Sequence, residues 1–93
     1  MRTALLLLLL SGTAIAGVRT APVVRIVRDA QTWNVVASVG SNDAITKTMT
    51  CAFVDAKDHV ITDDCRLVRI DKAETTCKTS TALPEVVRVR FAS

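Results

Sequence analysis

The chain has 93 residues, with 12 Lys and Arg against 9 Asp and Glu and a formal charge of +3. That mild excess has no basic run behind it. Tyrosine is absent, and Trp33, Phe53 and Phe91 are the only aromatics, which argues against a nucleic-acid binder working by charge or base stacking.

Met1-Arg2 opens the chain with a positive charge, and Leu5 to Leu10 form an apolar run. Ser11-Gly12-Thr13 loosens the helix. Ala14-Ile15-Ala16 then places small residues at the −3 and −1 positions that signal peptidase reads. Residues 1–16 are therefore expected to be a secretory signal peptide, cut between Ala16 and Gly17, and the protein to be secreted or periplasmic. The apolar run is short for a membrane anchor, which needs about 20 residues, so no stable membrane span is expected after cleavage. No cysteine follows the run to carry a lipid. Removing residues 1–16 from 93 leaves 77 and takes Arg2 with it, so 11 basic residues stand against 9 acidic, near +2. That is one domain, of a size at which a core alone stabilises marginally.

Residues 17–22 read as a flexible lead-in. Val23 to Arg28, rich in β-branched residues, predicts a first strand, with a turn at Asp29-Ala30-Gln31. Thr32 to Val39 predicts a second, with Trp33, Val35, Ala37 and Val39 on one face. Gly40-Ser41-Asn42-Asp43 is a turn signal, because these residues tolerate tight backbone geometry. Ile45 to Val54 predicts a third strand. Within it Met49, Cys51 and Phe53 alternate with Thr48, Thr50 and Ala52, the period of a half-buried strand. Asp55 to His59 is a turn, and a fourth strand follows from about His59 to Thr62. Leu67 to Ile70 is a fifth, although Leu67 differs in parity from Val68 and Ile70. Asp71-Lys72-Ala73 is a turn, with a single helical turn around Lys72-Ala73-Glu74 as the alternative. Thr75 to Thr79 is a sixth strand with Thr76 and Lys78 outward. Val86 to Phe91 is the last, with Val87, Val89 and Phe91 inward and Arg88 and Arg90 outward. Seven short strands without an amphipathic helix predict an all-β chain, a single antiparallel β-sandwich or small barrel over residues 23–93.

Cys51, Cys65 and Cys77 are odd in number, so one thiol is left over or pairs outside the chain. Their spacing fits neither a zinc pattern nor a Cys-x-x-Cys redox motif. An exported chain favours one disulfide. Cys65 and Cys77 flank the fifth strand and its turn, so Cys65–Cys77 is the preferred pair, with Cys51 a buried thiol. Cys51–Cys77, an inter-sheet bridge, is the competitor.

Phe53-Val54-Asp55-Ala56-Lys57-Asp58-His59-Val60-Ile61 resembles the middle of small bacterial immunoglobulin-like sandwich domains of the FxLYD kind. Val39-Gly40-Ser41-Asn42 sits where that family has a Val-x-Asn turn. Lys72-Ala73-Glu74 sits near its Pro-Gly-Glu turn, and Glu85 to Arg90 looks like its closing strand, so the likeness covers about residues 32–92. Asp58 and Ala73 stand where the family has Gly. In a type I turn with a bulge that first position needs φ > 0, which Asp tolerates at modest cost. The resemblance implies an immunoglobulin-like fold outside the cytoplasm and no enzymatic activity.

Asp55, Asp58, Asp63 and Asp64 could offer oxygens to Ca²⁺, but no Asp-x-Asp-x-Asp-Gly loop is present and they read as turn residues. His59, the one histidine, reads as a surface residue, and no nucleophile motif accompanies it. No metal or cofactor is expected. Six of the arginines fall in three pairs, Arg25 and Arg28, Arg66 and Arg69, Arg88 and Arg90. Arg88 and Arg90 on one strand face, with Arg25 if its strand lies alongside, could bind an anionic glycan, lipid head group or acidic protein. The other use of such charges is to guard exposed strands against pairing. The expected function is a non-enzymatic module binding an unidentified protein or envelope component. Anion or glycan binding through the arginine face is the alternative, and a small hydrolase or inhibitor a third class.

Overall fold

The first strand, β1 (Val18–Asp29), is 12 residues long and belongs to both halves of the fold. Val18 to Pro22 pairs with β7 (Arg88–Ala92), whereas Val23 to Asp29 pairs with β2 (Thr32–Ala37). The register shifts between Val23 and Arg25 where the two halves meet. An extra residue there bends the strand and sharpens its twist, so one strand can change partners.

With β3 (Thr50–Val54), β4 (Val60–Thr62), β5 (Arg66–Ile70) and β6 (Thr75–Thr79), the computed structural model, which describes residues 17–93, is all-β. Seven antiparallel strands form one sheet in the order β4-β3-β7-β1-β2-β6-β5. The expected signal peptide lies outside the described residues. Among the described residues no helix is long and apolar enough to cross a membrane.

Alternation along the strands decides which side is buried. Phe53, Val89, Phe91 and Ala21 come from one half of the sheet, and Val35, Ala37 and Cys77 from the other. All belong to a single cluster, with Trp33, Met49, Ile26 and Leu67 packed against it. Burying side chains of this size contributes about 1.5–3 kcal/mol each, upper bounds because unfolded chains already bury some apolar surface. Two buried hydroxyls are paired. Thr75 Oγ1 donates to the Val39 carbonyl at 2.7 Å, and Thr79 Oγ1 to the Asp64 carboxylate at 3.1 Å.

Two expectations need correction. Residues 18–22 are not a linker, since they pair with β7 and bury Ala21 at 1 % exposure. Pro22 sits at the change of partner, where its carbonyl accepts the Ser38 amide. Strand β3 begins at Thr50 rather than near Ile45, because residues 40–49 make turns, with a 3-10 turn at Ser41–Asp43. The expected turn at Asp71-Lys72-Ala73, rather than the alternative helical turn, closes the β5–β6 hairpin, with the Asp71 amide donating to the Glu74 carbonyl.

The disulfide is also differently placed. Cys51 on β3 is bonded to Cys65, with their Cα atoms 5.5 Å apart, and Cys77 is free and buried. The expected Cys65–Cys77 hairpin bridge fails on register. Leu67 is the residue directly opposite Cys77 across β5–β6, and Cys65 precedes the strand. Cys65 reaches β3 instead. Although β3 and β5 are second and seventh in sheet order, they touch, so the sheet is curled on itself and the bond fastens the closure.

Two turns hold an alanine in the left-handed region. Ala30, first of the two residues between β1 and β2, has φ 55°, and Ala44, after the 3-10 turn, has φ 67°. A Cβ there costs roughly 1–2 kcal/mol, which glycine avoids at the expense of unfolded-state entropy. Gly40 is constrained by proximity instead. A Cβ on it would stand 2.1 Å from the Asp71 carbonyl oxygen, where the 41–42 amides dock on the β5–β6 turn. Ala30→Gly and Ala44→Gly should each raise stability in urea by about 0.5–1 kcal/mol, while Gly40→Ala should lower it. Equilibrium unfolding followed by Trp33 fluorescence checks both signs.

Candidate functional site: the basic outer face

The three arginines singled out as a patch are not brought together. Arg88 and Arg90 do lie on the outer face of β7, but Arg25 is on the other half of the sheet. Arg88 is committed to the fold. Its guanidinium donates to the Asp55 carbonyl at 3.1 Å, the Ala56 carbonyl at 3.2 Å and the Asp58 carboxylate. It therefore clamps the β3–β4 turn onto β7. Asp58, with φ 66°, is in the left-handed region. Arg25 pairs with Glu74 at 3.2 Å. Arg90 stands between Ala52 and Thr20 and has no ion-pair partner among the described residues.

A second set of cations does assemble. Across β5, β6 and β2, Arg66 lies opposite Lys78 and Lys78 opposite Asn34, so the three form one row. The next row holds Arg69, Thr76, Val36 and Arg25. Paired residues of antiparallel strands project on the same side, and Thr75, Cys77 and Thr79 point inward, so both rows are on the outer face. Strand spacing makes the Arg66-to-Asn34 row about 10 Å wide.

The electrostatics of this face are uneven. Arg25 and Arg69 have carboxylate partners, Glu74 at 3.2 Å and Asp71 at 3.0 Å, in exposed pairs worth at most about 1 kcal/mol. Arg66 and Lys78 make no ion pair among the described residues, although Arg66 adds a weak attraction to Asp64. Like charges directly opposite on neighbouring strands destabilise a sheet. Arg66 and Lys78 nevertheless meet there, beside an amide and a threonine hydroxyl able to hydrogen-bond an anion.

This row was hidden by one residue. Arg66 has the wrong parity relative to Ile70 unless the strand contains a bulge, and the register shift between Leu67 and Arg69 supplies it. Val68 is the extra residue and is half exposed. The outward position of Lys78 was readable from alternation. Its partner was not.

Two of the four aspartates, Asp55 and Asp64, accept hydrogen bonds from backbone amides. Asp55 Oδ1 accepts the Lys57 amide at 2.8 Å and the His59 amide at 2.9 Å. Asp64 Oδ2 accepts the Ser80 amide and the Thr79 and Thr81 hydroxyls. Hydrogen bonds to the ionised form hold both carboxyls below their ordinary value, the His59 amide leading for Asp55 and the Ser80 amide for Asp64. His59 is exposed at the turn, its Nδ1 3.7 Å from Asp55. Among the described residues, the one group of three potential metal ligands is Cys51, Cys65 and Cys77. Searches with the whole chain find no matching family model, curated protein or solved structure.

Two outcomes follow from the turn chemistry. Arg88→Met keeps the apolar stem but removes the donors, and should cost roughly 2 kcal/mol in urea unfolding. Asp55 and Asp64 have depressed folded pKa values, so their stabilisation is present above the ordinary value of 3.8 and is lost as pH falls through the folded values. Unfolding free energy measured from pH 6 to pH 2 should therefore decline below about pH 4, and Asp64→Asn should flatten that decline.

Proposed function

We propose that the protein is a small exported, non-enzymatic β-sandwich module of immunoglobulin-like type, which binds an anionic component of the cell envelope through its outer basic face. The single observation that carries this reading is the direct opposition of Arg66 and Lys78, flanked by Asn34. A pairing unfavourable to the free fold becomes favourable when a sulfate, phosphate or carboxylate stands over it. Sulfated or uronic-acid-bearing glycans present such groups in series, which suits a row followed by a second row with Arg69, Thr76 and Arg25.

Several features support the rest of the proposal. A core drawn from both halves of a curled sheet fits a sandwich better than an open sheet. The Cys51–Cys65 bond fits an oxidising compartment, in line with the signal-like residues 1–16. The lone histidine is exposed on a turn, and burial pushes the free thiol of Cys77 up to about 12, so neither resembles an activated catalytic group.

The test is retention on a sulfated polysaccharide column as a function of salt. Arg66→Ser with Lys78→Ser should weaken binding about tenfold, the sum of two exposed ion contacts. Stability should hold or rise slightly, because the like-charge contact is gone. Arg90→Ser should leave retention nearly unchanged. Unaltered retention in the double variant would reject the basic row as the site, and a marked loss of stability would identify it as structural.

A further inference from the structure

Three sulfurs converge where the curled sheet closes. Cys51 comes from β3, Cys65 from just before β5, and Cys77 from the inward face of β6. The three Sγ atoms all lie within 4.8 Å of one another. Three sulfurs bound to one ion at about 2.3 Å stand about 4 Å apart, so the trio already has nearly the required size.

We propose that, once the Cys51–Cys65 bond is reduced, the three cysteines form a site for one thiophilic metal ion, with monovalent copper as the fitting probe. Thiolates select soft ions such as Cu(I) over hard cations. The positions are independent in sequence and come from three segments, so the fold rather than a local motif creates the cluster. That is why the spacings of 14 and 12 residues betray nothing.

The surroundings suit such an ion. Cys77 is fully buried, Cys51 is nearly so, and Cys65 is partly exposed, giving a wet side and a dry side. An open cleft of about 490 Å³ lies against Cys51 and Cys65 and is also lined by Met49, Asp63, Leu67 and Arg90. It brings solvent beside the Cys51 and Cys65 positions. This assigns the cleft a role separate from the outer basic row.

The chemistry balances with a dithiol reductant. It supplies two electrons and two protons, the Cys51–Cys65 bond breaks, two thiols form, and the reductant leaves as its own disulfide. Binding of one Cu(I) by three thiols then releases three protons to solvent. Affinity must therefore fall as pH falls. Disulfide and metal centre are alternative states of the same sulfurs, so occupancy is set by redox conditions.

The test uses the full chain, reduced and kept anaerobic, titrated with Cu(I) against a chromophoric Cu(I) chelator. Far-UV circular dichroism reports the sheet. One Cu(I) per chain with the sheet present is expected, and the oxidised protein should bind none. Cys77→Ala retains the disulfide pair, so its folding is verified in the oxidised form. After reduction it should bind at least roughly 100-fold more weakly, since groups that merely orient a ligand already cost 10–100-fold. Cys65→Ser, the second variant, should lose affinity similarly. Full affinity in Cys77→Ala would overturn the proposal in favour of a two-cysteine site. Equal affinity in urea, or a reduced chain whose sheet is absent and not restored by Cu(I), would overturn it as well.

Discussion

The covalent bond between Cys51 and Cys65 is the constraint on which the rest of the structure depends. It joins β3 to the residue before β5, and those strands are second and seventh in the order of the sheet. It fastens the closure on the side where Phe53 and Phe91 of one half pack in one cluster with Val35 and Cys77 of the other. A cross-link spanning 14 residues stabilises by about 3 kcal/mol in the chain-entropy picture. For a chain of this size that is a large share of the usual margin. The bulge in β1 is the complementary device, because it lets one continuous strand serve both halves while the bond fastens the far side.

Much of the fold was legible in the residues because burial imposes a period of two. Phe53, Val89 and Phe91 were expected inward, Trp33, Val35 and Ala37 were expected to share one face, and all belong to or pack against the core. Gly40 to Asp43 and Asp55 to His59 announced turns through their side chains, and both are turns. Where the sequence misled, the cause was a non-local partner. Residues 18–22 look loose in isolation and become a strand only because β7 lies beside them. Ile45 to Met49 continue the apolar pattern of β3, yet they turn away to place Ile45 in the core.

The candidate site was less legible for the same reason. Spacing showed that Arg88 and Arg90 share a face, but not that the β3–β4 turn would claim Arg88 as a clamp. Arg66 and Lys78 meet only through a bulge at Val68, which no local rule requires. The disulfide pairing likewise depends on which residue stands opposite Cys77, and that residue is Leu67. Alternation thus indicates which side of a strand a residue occupies, while register, set by tertiary packing, decides its neighbours.

The claim most open to direct test is that the fold closes through Cys51 and Cys65 with Cys77 left over. Cleavage after Lys47, Lys57, Arg66, Lys72 and Lys78 places the three cysteines on separate peptides. Mass spectrometry of an unreduced tryptic digest, alkylated first under denaturing conditions, reads the pairing. The account predicts one linked species, the Cys51 peptide joined to the Cys65 peptide, and an alkylated Cys77. A linked species containing Cys77 would contradict it.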